Sequence, residues 1–175
     1  MVTLSREPGR DPAVAAIWKL LATIPDPEIP VISIVELGIV RDVAIAGGEV
    51  VVTVTPTYSG CPATRIIATD IHRTLTDAGM DKCRIETRLA PAWTTDWIVP
   101  AARARLRDYG IVPPGERAAT RGIDISGLRR RDVTIACPRC GSTRTQELSR
   151  FGSTPCKAQY RCDDCREPFD YFKPH

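Results

Sequence analysis

Gly47-Gly48-Glu49-Val50-Val51-Val52-Thr53-Val54-Thr55-Pro56-Thr57-Tyr58-Ser59-Gly60-Cys61-Pro62 is the stretch on which the reading of this chain turns. Val50, Val52 and Val54 alternate with Val51, Thr53 and Thr55, which is the period of a β-strand with two distinct faces. Gly47-Gly48 before it is a hairpin turn signal, and Val43 and Ile45 on its far side form the partner strand. After it, Thr55–Pro62 reads as a loop entering a helix with Pro62 at the first helical position. Ile67, Ile71 and Leu75 recur every four residues as that helix's buried stripe, and Gly79 suits its end.

Working outward, Asp11-Pro12 fits an N-cap followed by proline. Val14, Ile17, Trp18, Leu21 and Ile24 then predict an amphipathic helix over 12–23. Pro25, Pro27 and Pro30 stop it and impose an extended loop. Ile85, Thr87 and Leu89 alternate as a third strand, and a short helix around 100–109 ends at Gly110. Residues 11–110 are therefore expected to form a small layered α/β (α+β) domain with a β-hairpin, large enough for its own core. Residues 111–132 mix Pro, Gly and Arg without periodicity and read as a linker. Residues 133–175 hold five of the seven cysteines and read as a separate ribbon.

Composition narrows the function. The 175 residues are 43% hydrophobic and 26% charged, which excludes a mainly disordered chain. No run of 18 apolar residues suggests a membrane span, and residues 1–10 lack the apolar core of a signal peptide, so a cytoplasmic protein is expected. Seven cysteines in a reducing compartment argue for metal or reactive thiols rather than disulfides. The net charge of +3 is unevenly spread. Residues 1–99 carry nine Lys/Arg against twelve Asp/Glu, whereas residues 100–150 carry eleven against five. Arg129-Arg130-Arg131 contributes to that excess and reads as a solvated linker. A pI near 8.5 is low for a nucleic-acid binder, so a nucleic-acid-binding ribbon ranks third among the readings.

Cys137-Pro-Arg-Cys140 and Cys162-Asp-Asp-Cys165 are two C-x-x-C knuckles separated by 21 residues, slightly longer than the usual four-cysteine zinc pattern. Two intervening residues let both sulfurs of a knuckle face one ion, and a hairpin brings the second pair round to close a tetrahedron. About 40 residues bury too little apolar surface to fold unaided, so one structural zinc is expected to hold the ribbon together. Phe151, Tyr160, Phe169, Tyr171 and Phe172 are its expected core. Cys156 is surplus: it could replace a knuckle ligand, join a cluster or sit idle beside the metal. A Cys-Pro-x-Cys-Gly knuckle also occurs in rubredoxin, so spacing leaves zinc or iron open.

Cys61 stands at the predicted start of a helix, where unpaired amides favour an anion and hence a thiolate. A histidine base is missing: His72 is eleven residues on, about 16 Å along the helix, and His175 is the last residue. Acyl transfer is thus poorly supported, and transient binding of iron or a cluster suits a thiolate near carboxylates better. The candidate carboxylates are Asp26 and Glu28 in the proline loop and Asp96 between Trp93 and Trp97. No nucleotide loop, flavin fingerprint or Glu-x-x-His pair marks the chain as an oxygenase or reductase.

Three segments carry a resemblance: Asp26-Pro-Glu-Ile-Pro-Val-Ile-Ser-Ile-Val-Glu-Leu-Gly-Ile-Val40, Thr55–Pro62 and Trp93-Thr-Thr-Asp-Trp-Ile98. Together they are similar to the metal–sulfur cluster biosynthetic (SufT-like) domain family over roughly residues 12–110. Joined to Phe151-Gly-Ser-Thr-Pro-Cys-Lys-Ala158 and Glu167-Pro-Phe-Asp-Tyr-Phe-Lys173, the chain resembles the PaaD family of bacterial phenylacetate degradation over nearly its whole length. The resemblance implies a non-catalytic accessory role beside the multicomponent phenylacetyl-CoA 1,2-epoxidase, with its di-iron oxygenase and iron–sulfur flavin reductase components as partners. It implies maturation of iron or iron–sulfur centres, with Cys61 as the reactive thiol and Asp26 and Glu28 as the acidic loop. A stable, non-catalytic or electron-carrying subunit is the alternative.

Overall fold

The computed structural model describes residues 11–115 and 135–174, and the chain divides into two compact units, residues 1–102 and 103–174. In the first unit the hairpin forms as its sequence dictates. Strands β1 (Val40–Ala46) and β2 (Glu49–Val54) pair antiparallel, and Gly47 and Gly48 both take positive φ in the turn. Strand β3 (Cys83–Thr87) adds to β2 in parallel, with Val52 opposite Ile85, giving the order β1-β2-β3. A parallel neighbour needs a crossover, and helix α2 (Ala63–Asp77) supplies it. As the central strand, β2 buries both of its faces. Val51 and Thr53 are therefore as enclosed as Val50, Val52 and Val54.

Helix α1 (Pro12–Leu21) starts where Asp11 accepts a 2.8 Å hydrogen bond from the Ala13 amide. It stops two residues earlier than the periodicity predicts, because the Thr23 hydroxyl and amide both turn back to the Leu20 carbonyl. The proline loop that follows is part of the core rather than a surface connection. Ile24, Ile29, Ile32, Ile34, Leu37 and Ile39 are all buried. In α2, Ile67, Ile71 and Leu75 are buried as expected, and Gly79 has φ +81 just beyond its end. Pro62 is the N-cap of α2 rather than its first helical residue. Leu89 lies beyond β3 and is exposed, so the third strand ends at Thr87.

Helix α3 (Pro100–Tyr109) is as long as predicted and is closed by Gly110 at φ +97. The expected linker does not begin at 111. Ile111–Val112 form strand β4, which pairs in parallel with β7 (Pro168–Phe172), and Ile111 is buried. Two apolar β-branched residues suffice for a short strand because the edge of β7 is there to receive them. The remaining strands β5 (Thr145–Ser149) and β6 (Lys157–Cys162) complete a four-stranded sheet of order β4-β7-β6-β5. The arginine run at 129–131, most of the expected linker and His175 lie outside the described residues. Ile135, Cys137, Ala158, Cys162, Phe169 and Tyr171 pack as one cluster with Cys165 against it, and Tyr160 is stacked on Phe169 at 5.8 Å. Phe151 is not in that core. It sits on the β5–β6 loop, 64% exposed, because the loop projects past the end of the strands. No helix among the described residues is long and apolar enough to cross a membrane.

Candidate metal centre and thiol loop

The two knuckles of the second unit share one backbone design. In the first, the Cys137 carbonyl accepts from the Gly141 amide at 2.9 Å and the Cys137 amide donates to Ser142 at 2.8 Å. In the second, the Cys162 amide donates to Glu167 at 3.0 Å. The residue after each second cysteine takes positive φ, Gly141 at +75° and Arg166 at +65°. Glycine suits that conformation, whereas arginine there carries local strain that its surroundings must hold.

All four knuckle sulfurs lie within 4.8 Å of one another. Cys137 and Cys165 are 3.7 Å apart and Cys140 and Cys162 are 3.6 Å apart, far beyond a disulfide bond. Sulfurs about 2.3 Å from one tetrahedral ion would be about 3.8 Å from each other, so this set fits a metal. Its electrostatics point the same way. The backbone around Glu167 favours the Cys165 thiolate, yet burial and the sulfurs of Cys162, Cys140 and Cys137 outweigh it and push its pKa up to about 12. Cys162 is held below the usual thiol range, first by the Cys165 backbone and then by its neighbours' thiols. Four thiolates so close need a cation among them. Ser142 and Arg144 both contact the Asp164 carboxylate, tying the first knuckle to the second from outside. Cys156 is buried but does not belong to this set, and its Sγ lies 3.0 Å from the Thr154 hydroxyl.

In the first unit, Cys61 is a free, half-buried thiol one residue before the N-cap of α2, whose first turn receives no side-chain cap. Its amide donates to the Tyr58 carbonyl at 3.2 Å and its carbonyl accepts from Thr64. This turn borders a groove of about 380 Å³ whose walls include Pro56, Tyr58, Leu89 and Trp93. Asp26 is buried, and its Oδ1 accepts from the amides of Glu28 at 3.0 Å and Ile29 at 2.8 Å. That carboxylate oxygen therefore shapes the proline loop from within, while Glu28 is half-buried and Asp96 exposed.

Sequence reasoning missed the residues that brace these loops. Glu36 accepts from the Ser33 amide and hydroxyl, a reciprocal lock with the Glu36 amide bonded back to Ser33. Trp93 Nε1 donates to the Leu37 carbonyl at 3.1 Å, and the guanidinium of buried Arg41 lies 3.3 Å from the centre of the Trp97 ring. The Ser-x-x-Glu spacing at 33–36 was readable as a capping box. The Arg41–Trp97 stack had no local signal.

Comparison with known proteins adds two family matches. Residues 124–173 match the PaaD zinc beta ribbon domain, and residues 14–86 match the family described as iron–sulfur cluster assembly protein. An Escherichia coli K12 protein assigned as a subunit of 1,2-phenylacetyl-CoA epoxidase is 50% identical over 162 residues, 93% of either chain. An Fe-S protein maturation auxiliary factor from Porphyromonas gingivalis is 34% identical over 51% of this chain and 87% of its own. Among solved structures, a domain of unknown function from Bacillus anthracis covers 53% of this chain and 89% of its own, with TM-score 0.49 and 26% identity.

Proposed function

The chain belongs to the PaaD family, and from that premise we propose that it is an accessory protein of aerobic phenylacetate catabolism. It acts beside the phenylacetyl-CoA 1,2-epoxidase system, serving the loading of iron or iron–sulfur centres rather than substrate turnover. The observation that carries this reading is one chain joining an assembly-type unit to the family's ribbon, at 50% identity over 93% of a relative that is itself assigned to the epoxidase. The structure supports a division of labour between the units. Cys61, one residue before the N-cap of α2, is the thiol that receives iron or a cluster in transit, and Glu28 and Asp96 are the carboxylates we assign to assist it. Asp26 holds the loop. Cys137, Cys140, Cys162 and Cys165 form a closed four-sulfur site that suits one structural zinc, and reduced thiols suit the cytoplasm.

The test is Cys61→Ala in the full chain. The variant keeps its thermal stability, because a half-exposed sulfur contributes little packing, yet growth on phenylacetate fails and the reductase component is poor in iron and acid-labile sulfide. A stable variant with a fully loaded reductase overturns the assignment of Cys61. A second reading, an electron-carrying subunit, is favoured only by the capacity of four thiolates to hold iron as well as zinc. Metal analysis and a visible spectrum of the purified protein distinguish the two.

A further inference from the structure

Phe151 is the most exposed large hydrophobic side chain among the described residues, at 64%, and Leu148 three positions before it is 49% exposed. Both belong to a segment that the structure holds firmly. Leu148 sits where the β5–β6 register slips between Glu147 and Ser149, a bulge on the edge strand of the sheet. The Ser149 hydroxyl donates to the Phe151 carbonyl at 2.8 Å and accepts from the Phe151 amide at 3.2 Å. The Gly152 amide donates to Lys157 at 2.8 Å, and a Cβ at Gly152 would stand 3.2 Å from an Asp170 oxygen. Beneath the loop, buried Lys157 pairs with Asp170 at 3.3 Å. Lys173 closes it from the other side, donating to the Arg150 carbonyl at 2.9 Å with its ammonium 4.5 Å from the centre of the Phe151 ring.

Residues 149–157 and 170–173 are thus brought together, at the end of the sheet away from the two knuckles, to present one aromatic ring. The Phe151 ring itself belongs neither to the four-sulfur set nor to the cluster packed around it. The Lys173 ammonium lies against the ring and exposed Arg150 precedes it in the chain, and neither has a carboxylate partner among the described residues. Folding gains little from an exposed phenylalanine, whereas a ring fixed in place loses little conformational freedom on binding. Interface cores are enriched in aromatic residues and in arginine, and polar groups at their rim favour a partner of opposite charge.

We propose that Phe151, with Lys173 against its ring and exposed Leu148 and Arg150 on the same short segment, is a preformed docking knob for a protein partner. That partner offers an apolar pocket edged by carboxylates on one of the epoxidase components, so the inference rests on the accessory reading above. A single-stranded nucleic acid would call for a longer track of cations and several stacking rings, and a membrane for a broader apolar face.

The test uses the full-length, metal-loaded chain immobilised on a sensor, with the purified oxygenase and reductase components as probes at 50 and 300 mM NaCl. One component binds the wild-type protein, and more weakly at the higher salt. Phe151→Ala weakens binding at least about tenfold, chiefly by faster dissociation, and Phe151→Leu recovers part of the loss. Arg150→Glu leaves the carbonyl bonded to Lys173 in place and slows association. Unchanged metal content and melting temperature in each variant show that the loop, not the fold, is responsible. If Phe151→Ala and Arg150→Glu bind as wild type does, the knob is overturned while the accessory reading stands. If the wild-type protein binds neither component, both fall. Single-stranded DNA or anionic vesicles bound through Phe151 in place of a component would also overturn the proposal.

Discussion

Replacing Cys162 by serine should dismantle the second unit and spare the first. Cys162 is fully buried, closes β6 and shares the four-sulfur site with Cys137, Cys140 and Cys165. A structural zinc contributes about 10–16 kcal/mol of apparent free energy in small sites at pH 7. Net domain stabilities are about 5–15 kcal/mol, so losing the metal removes as much as the unit has. A serine hydroxyl also leaves a neutral oxygen where the ion needs an anionic sulfur. The assay exploits the placement of the aromatic residues. Trp18, Trp93 and Trp97 all lie in the first unit, whereas Tyr160 and Tyr171 lie in the ribbon. Tryptophan fluorescence should therefore show an unchanged urea transition while near-UV tyrosine dichroism collapses and bound metal falls below one per chain. The same logic sets the pH dependence of the wild-type protein. The ligands must be thiolates, so protons compete with the metal as pH falls, and ribbon stability declines on acidification and is fullest near neutrality and above. A Cys162→Ser protein that is metal-free yet keeps a dispersed ribbon NMR spectrum refutes the argument.

Other outcomes follow from single contacts. Ile71→Ala, under the centre of α2 with its side chain wholly enclosed, should cost about 2–5 kcal/mol in a urea melt of the first unit. Asp26→Ala strips the Glu28 and Ile29 amides of their acceptor inside a buried turn and should cost about 1–3 kcal/mol, with Asp26→Asn costing less. Burial, then the carboxylates of Asp81 and Glu49, push the Cys83 thiol up. Its thiolate fraction at a given pH is therefore reduced, so iodoacetamide labelling, followed by peptide mass spectrometry, should begin at higher pH than for a free thiol. Asp81→Asn should bring that onset down.

What the sequence disclosed and what it concealed divide along a physical line. Gly47-Gly48, the Val50/Val52/Val54 alternation and the Ile67/Ile71/Leu75 stripe are local signals, and the elements they imply form where expected. The knuckles were legible for the same reason, since two residues between cysteines fix the sulfur geometry over one turn. Residues whose roles depend on distant partners were not. Asp26 is a different case: its Oδ1 is committed to amides only two and three residues on, and what the sequence concealed is that this turn is buried by the rest of the unit. Phe151 looked like ribbon core by its type alone, and its exposure is set by a turn and by Lys173, 22 residues on. Ile111-Val112 carried too short a pattern to be told from linker, because their partner strand is β7.

That last pairing bears on how the ribbon can be made. Ile111 meets Asp170 across 59 positions, a closure that costs about 4 kcal/mol of chain entropy before any contact returns it. During synthesis β4 leaves the ribosome long before the strand it pairs with exists, so the sheet can only be completed once residues 168–172 are out. A recombinant fragment begun at the first knuckle would lack β4 altogether. The edge of β7 would then be bare, a row of unpaired amides and carbonyls open to a second copy. Such a fragment should bind metal and yet self-associate, whereas one begun a few residues before Ile111 should stay monomeric in the same buffer.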